Sequence, residues 1–204
     1  MLQTQTVLPS TLELLKKLML LPELAPFSLA GGTSLSLQIG HRISVDLDFF
    51  GNAPFEVNEI LDLIHPLGKV SILKQSRNIL ITEIDGVKVD FVNYRYPMLR
   101  DIIEIEGIRL VSTADIGAMK FGAVAGRGRK RDFIDIFFLL KEFSLAELMS
   151  FYNEKYFDGS EMMVARSLTY FDDADGDKDM QMLKKTNWND VKKLILKEVN
   201  KLYK

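Results

Sequence analysis

An α+β fold is predicted, with a small mixed β-sheet and flanking helices over residues 1–96 and a helical domain over residues 97–204. Three observations predict it. Short apolar runs with strand character crowd the first half, at 27–30, 45–50, 70–73, 79–84 and 87–92. Between the last two stands Asp85-Gly86, a pair that tolerates positive φ and signals a tight hairpin. Beyond Pro97 the apolar spacing becomes helical, led by the N-cap pattern Ser112-Thr113-Ala114-Asp115. With 204 residues, 47% of them hydrophobic, the chain can bury one compact core or two small ones.

In order, Ser10-Thr11-Leu12-Glu13 reads as a capping box opening a helix whose apolar stripe is Leu14, Leu15, Leu18 and Leu21. Pro22 and Pro26 end that helix and set up the strand at 27–30. The segment 34–40 alternates as a strand could, but a helix is expected, because a helix N-terminus is what a phosphate there would need. Gly51-Asn52-Ala53-Pro54 is a turn, and Phe55, Val57, Ile60, Leu61 and Ile64 form an amphipathic helix closing at His65-Pro66. In the second half, Ile116, Met119, Lys120, Ala123 and Val124 continue the capped helix to a basic turn, Gly126 to Arg131. Residues 132–141 then read as a buried helix, with further helices at 145–156, 161–171 and 188–203. The acidic stretch Asp172 to Asp177 is expected to be a solvated loop, because it lacks the closing glutamate of a calcium loop.

Composition removes several classes of function. No window resembles a membrane span or a signal peptide. The absence of cysteine excludes disulfides and thiolate metal sites and suits the cytoplasm. A net charge of −2 confines any nucleic-acid contact to a local patch. His41 and His65 form no ligand cluster, and no Ser/His/Asp arrangement can be assembled.

The chemistry gathers between Leu29 and Phe50. Gly31 and Gly32, followed by Thr33 and Ser34, stand where an apolar strand turns into a helix, and bare N–H groups there can approach a phosphate. Asp46 and Asp48, two apart in an apolar run, would share one face of a strand and repel each other unless a cation such as Mg²⁺ lay between them. Asp90 interrupts the run 87–92, and a buried acid there needs a partner. The alternatives are a third metal carboxylate, or an acid facing solvent beside Lys88. Asp132 and Asp135 share a helix face, so Asp132 either caps the helix or takes part in chemistry, and Asp135 has a function or a buried ion pair. Arg127, Arg129, Lys130 and Arg131 form either a phosphate-binding turn or a solvated loop.

Gly31-Gly32-Thr33, followed thirteen positions on from Thr33 by Asp46-Leu47-Asp48-Phe49, resembles the signature of the DNA polymerase β-like nucleotidyltransferase superfamily. With Ser34-Leu35 and the string Arg42-Ile43-Ser44-Val45-Asp46-Leu47-Asp48-Phe49-Phe50, it resembles the AbiEii type, the toxin half of type IV toxin–antitoxin systems. Lys120 followed by Arg129-Lys130-Arg131-Asp132 and Asp135 is similar to that type as well. Ala30 stands where relatives often carry a lysine, and Val45 where many carry an acid.

The resemblance implies transfer of a nucleoside monophosphate from an NTP to an acceptor hydroxyl, with Mg²⁺ or Mn²⁺ as cofactor and pyrophosphate released. Asp46, Asp48 and Asp90 would be the metal ligands and, with Lys120 and either Asp132 or Asp135, the catalytic set. Gly31, Gly32, Thr33, Ser34, Arg42, Ser44 and Arg131 would bind the nucleotide. RNA, at a tRNA 3′ end, is the implied acceptor, and a cognate antitoxin protein the implied restraint. The rival readings are a small-molecule nucleotidyltransferase of the antibiotic-modifying kind, a nucleotide-binding module without turnover, and a structural protein whose acids decorate strand edges.

Overall fold

A computed structural model describes residues 1–203, and the chain divides into two compact units. The first comprises Met1–Pro97 and Asp101–Val111; the second comprises Met98–Arg100 and the chain from Ser112 onward. Among the described residues, no helix is long and apolar enough to cross a membrane.

The first unit is built on a mixed sheet whose strands, in chain order, are β1 (Phe27–Ala30), β2 (Leu47–Gly51), β3 (Val70–Ser76), β4 (Ile79–Ile84), β5 (Val87–Asn93), β6 (Ile103–Ile105) and β7 (Ile108–Leu110). Their spatial order is β3-β4-β5-β2-β1-β7-β6. Its helices are α1 (Pro9–Met19), α2 (Gly31–Ile39) and α3 (Val57–Ile64). Strand β2 runs antiparallel to β1 and parallel to β5, with Asp48 opposite Asp90 and Phe49 opposite Phe91.

Phe49 and Phe91 are fully buried and stacked, with ring centroids 5.4 Å apart, and Phe27 meets Phe91 edge-on at 5.7 Å. They share one core with Leu14, Leu15 and Leu18 of α1 and Ile60, Leu61 and Ile64 of α3. Each such ring or aliphatic chain contributes about 1.5–3 kcal/mol by leaving water. Because side chains alternate across a strand, a slip of one residue would expose this whole set, so the aromatic pair also fixes the register. Its consequence is that Asp48 and Asp90 stand together on the opposite face.

The Asp85-Gly86 hairpin forms as expected, both residues at positive φ (47° and 84°). Three expectations are corrected. Helix α1 is not capped by Ser10: it starts at Pro9, whose fixed φ and missing N–H suit a first helical position, and Leu8 is the N-cap with no side-chain bond. Residues 101–111, which the sequence placed in the helical part, hold the β6–β7 hairpin, turning at Glu106 and Gly107 and joined to β1 through Leu29 opposite Leu110. Arg109 ties that edge down, donating Nε to the Phe27 carbonyl (3.0 Å), Nη1 to Met19 (3.2 Å) and Nη2 to Leu24 (3.0 Å). The third correction concerns the acidic stretch. It contains a helical turn, and its acids make specific bonds described below.

The second unit consists of α4 (Thr113–Gly126), α5 (Lys130–Leu139), α6 (Leu145–Lys155), α7 (Glu161–Leu168), α8 (Asp172–Asp175) and α9 (Trp188–Leu202). Ser112 caps α4 by accepting the Asp115 N–H at 3.1 Å, and Ser144 and Glu147 form a full capping box on α6. Helix α4 packs against α5, α6 and α7. At Gly117 a side chain would lie 2.6 Å from a Leu148 methyl, so the bare position allows α4 and α6 to approach.

Asp115 of this unit is fully buried with Lys155, whose Nζ lies 2.6 Å from Oδ1. Asp115 also accepts the N–H groups of Leu99 (2.8 Å) and Arg100 (3.2 Å) and the Ser112 hydroxyl (2.7 Å). An ion pair this dry persists because its remaining lone pairs are filled.

Candidate active site

In the sheet unit, β1 runs straight into α2, and the two glycines leave room for two charged side chains. Gly31 has φ +65°, and a Cβ there would lie 2.2 Å from Asp48 Oδ2. At Gly32 a Cβ would lie 2.2 Å from Arg42 Nη2. The Asp48 carboxylate therefore sits at the N-terminus of α2, where the helix dipole favours negative charge by roughly 0.3–1 kcal/mol. Buried Arg42 donates Nη1 to the Ile43 carbonyl at 3.1 Å.

Thr33 Oγ1 lies 2.8 Å from Ser44 Oγ and hydrogen-bonds the Asp46 carbonyl, and the Ser44 N–H donates to the Thr6 carbonyl at 2.8 Å. The loop leading into β2 is thus held by the residues that the sequence analysis placed around a nucleotide. Ser34 is fully buried, and its hydroxyl accepts from Gln38 Nε2 at 3.2 Å, so it serves the helix interior.

Asp48 and Asp90 are register partners on neighbouring parallel strands and alternate with buried residues, so both carboxylates project from one face. Asp46 differs from expectation. It precedes β2, which begins at Leu47, so strand alternation does not place its side chain, and its backbone is what Thr33 holds.

Lys88, which one of the two sequence readings set beside Asp90 on the same strand face, is its ion-pair partner. Its Nζ lies 2.7 Å from Asp90 Oδ1 and 2.6 Å from Oδ2, an ammonium seated on both oxygens. The pairing of strand neighbours two apart was the available signal. Hard carboxylate oxygens are the donors that Mg²⁺ and Mn²⁺ prefer, and Asp46, Asp48 and Asp90 fit such an ion in kind. Among the described residues, however, no three His, Cys, Asp or Glu side chains converge into a group that could hold one. The expected three-acid cluster is therefore not assembled: Asp48 and Asp90 pair in register, and Asp46 does not complete a group with them.

In the helical unit, Lys120 of α4 reaches two acids of α5, with Nζ 2.8 Å from Asp132 Oδ1 and 2.6 Å from Asp135 Oδ2. Arg127 adds Nε to Asp132 Oδ2 at 3.0 Å and Nη2 to Oδ1 at 3.3 Å. Both carboxylates are 0% exposed. Burial pushes the Asp132 carboxyl up, and Lys120 and Arg127 together outweigh that, leaving it below the usual range. Asp132 is thus an ion-pair partner, and α5 has no side-chain cap.

The basic turn is largely answered by the acidic stretch. Arg129 Nη1 lies 2.8 Å from Asp177 Oδ1, the Lys130 N–H donates to Asp177 Oδ2 at 2.9 Å, and Lys130 Nζ reaches the Asp177 carbonyl at 2.8 Å and Asp179 at 3.2 Å. Asp175 accepts from Trp188 Nε1 at 2.6 Å and Lys192 at 2.9 Å, fastening α9. Arg131 is exposed and lines, with Arg129, Lys130, Asp177, Lys178 and Met180, a cavity of about 400 Å³.

Comparison with known proteins bears on the family and the fold. An uncharacterized protein of Aquifex aeolicus (strain VF5) is 39% identical over 168 residues, covering 79% of this chain and 82% of its own. Among solved structures, MenT4, a nucleotidyltransferase toxin from Mycobacterium tuberculosis, shares the fold with a TM-score of 0.62 at 14% identity, covering 94% of this chain and 82% of that one. JHP933 from Helicobacter pylori gives 0.51 at 18% (95% and 92% covered), and the antibiotic-resistance factor ANT(2'')-Ia gives 0.53 at 16% (74% and 91%). The family model for the nucleotidyl transferase AbiEii toxin of type IV toxin–antitoxin systems matches residues 13–201. With almost the whole chain inside that match, the protein belongs to the AbiEii nucleotidyltransferase toxin family and is a nucleotidyltransferase.

Proposed function

We propose that the protein moves a nucleoside monophosphate from an NTP onto the terminal hydroxyl of an RNA, a tRNA 3′ end, with Mg²⁺ or Mn²⁺ bound and pyrophosphate released. In the cell it acts in the cytoplasm as a toxin that a cognate antitoxin restrains. The observation that carries this reading is the registered pair Asp48 and Asp90, with Gly31 bare against the Asp48 carboxylate.

Asp46 and Asp48 would hold the cation, which when bound neutralises phosphate charge and orients the α-phosphorus. Asp90 would accept the proton of the attacking hydroxyl. Backbone N–H groups of the α2 N-terminus and the Arg42 guanidinium supply positive potential for the phosphates. Arg131 and Lys178, around one cavity, support contact with a polyanion such as an RNA backbone. Lys120, held between Asp132 and Asp135, is a positioning residue that fixes α4 to α5.

The test is incubation with each α-labelled NTP, Mg²⁺ and total cellular RNA. Label is expected on the tRNA fraction, with pyrophosphate formed in equal amount. Label on an aminoglycoside but not on RNA would replace this reading with the small-molecule one.

A further inference from the structure

The alternation that turns Asp48 to one face of the sheet sends Phe50 there too, one step further along β2 and opposite Val92. Phe50 meets Tyr94 with ring centroids 5.1 Å apart, and Tyr94 meets Tyr96 at 5.6 Å. The Tyr94 N–H donates to the Gly51 carbonyl at 2.7 Å, which carries the ladder past the end of β5 and fixes the ring beside Phe50. All three rings belong to the sheet unit and are half-buried. They differ from the rings on the other face. Phe49 and Phe91 are fully buried and lie nearly parallel, at 17°, so each spends a flat face on the other. Phe50 stands outside the core that holds them, and its trio is tilted by 44° and 58°. Tilted contacts use ring edges, so they do not consume the flat faces as a parallel stack does.

We propose that Phe50, Tyr94 and Tyr96 form a stacking platform for the base of the nucleoside triphosphate. The Asp48 carboxylate lies against Gly31 at the N-terminus of α2, where the phosphates would sit. Phe50 follows two residues later on the same face, about 7 Å along the strand. A ribose bridges a gap of that size between phosphate and base. Every base has a π-face, so a ring platform holds and orients it without reading its edge. This inference rests on the proposed nucleotide site, and it adds where the base lies and that aromatic stacking holds it there.

The experiment measures equilibrium binding of ATP and of inorganic tripolyphosphate, in one Mg²⁺ buffer, to wild type, Phe50→Leu and Phe50→Tyr. Circular dichroism checks the fold of each variant. Both ligands carry three linked phosphates, so what the phosphate cradle and any cation contribute largely cancels in the ratio of their affinities. Wild type is expected to bind ATP about tenfold tighter than tripolyphosphate. Phe50→Leu should lose that preference while holding tripolyphosphate as before, and Phe50→Tyr, which restores a ring, should keep it. A preference that survives in Phe50→Leu, or an equal loss of both ligands there, overturns the platform. A wild type that binds both ligands equally also overturns it and leaves the phosphate site standing. A wild type that binds neither overturns the platform and the nucleotide site together.

Discussion

Replacing Lys120 with methionine is expected to destabilise the helical unit by about 3–5 kcal/mol, because it removes the ammonium shared by two carboxylates that have no access to water. The side chain is 7% exposed and lies within 2.8 Å of both Asp132 and Asp135. Arg127 still reaches Asp132 in the variant, so the loss is of the ammonium that joins the two acids. The variant should also become acid-sensitive at a higher pH. Asp132 is depressed in the wild type, so its contribution is full above the unfolded carboxylate value of about 4 and is lost as pH falls through the lower folded value. Without Lys120 the folded value rises, and the loss begins sooner. Chemical denaturation of wild type and variant as a function of pH measures both effects. A variant that unfolds like wild type yet no longer transfers nucleotide would show instead that Lys120 acts on phosphate.

The second large effect is expected at Gly31. Alanine there meets two penalties: a left-handed φ of +65°, worth roughly 1–2 kcal/mol, and a methyl 2.2 Å from Asp48 Oδ2. The carboxylate must move, and a displacement near 1 Å at a reacting centre costs about 100-fold in rate. Gly86 provides the control. Its φ is +84° but nothing lies within 4 Å of the added Cβ, so Gly86→Ala carries backbone strain alone. Nucleotide-transfer rates and unfolding free energies for the two variants separate the effects. A larger stability loss in Gly31→Ala, with activity lost in it alone, is expected, and equal activity in both would remove Asp48 from the argument.

The parts of this fold that were legible in the sequence are those set by local chemistry. Strand 27–30 was bounded by Pro26 and Gly31, the β4–β5 hairpin by Asp85-Gly86, and α4 by Ser112, because each signal acts within a few residues. The β6–β7 hairpin escaped notice because its strands have three residues each, and β7 is held by pairing with β1, about eighty positions away. The α1 boundary was misplaced because Ser10 is a good cap in isolation, while Pro9 fixes the start one residue earlier. The acidic stretch read as solvated because its partners Arg129, Lys130 and Lys192 are distant in sequence.

The candidate site divides along the same line. Gly31, Gly32 and Asp48 carried their signal in spacing and Asp90 in its interruption of an apolar run, and the structure puts Asp90 in register with Asp48 and Gly31 against the Asp48 carboxylate. What spacing could not reveal is which side chains occupy the room glycines leave, or that Lys88 would choose Asp90 over Glu83. Nor could it pair Asp115 with Lys155 across forty positions, a contact that owes nothing to local pattern.

The most direct test of the acid pair is a single-turnover transfer assay of Asp48→Asn beside wild type, with α-labelled NTP, Mg²⁺ and RNA. Asparagine keeps the size and one oxygen while removing the charge, so the fold should survive and transfer should fall by about a thousandfold. An Asp48→Asn protein that labels RNA at the wild-type rate would contradict the assignment of Asp48 to the reaction.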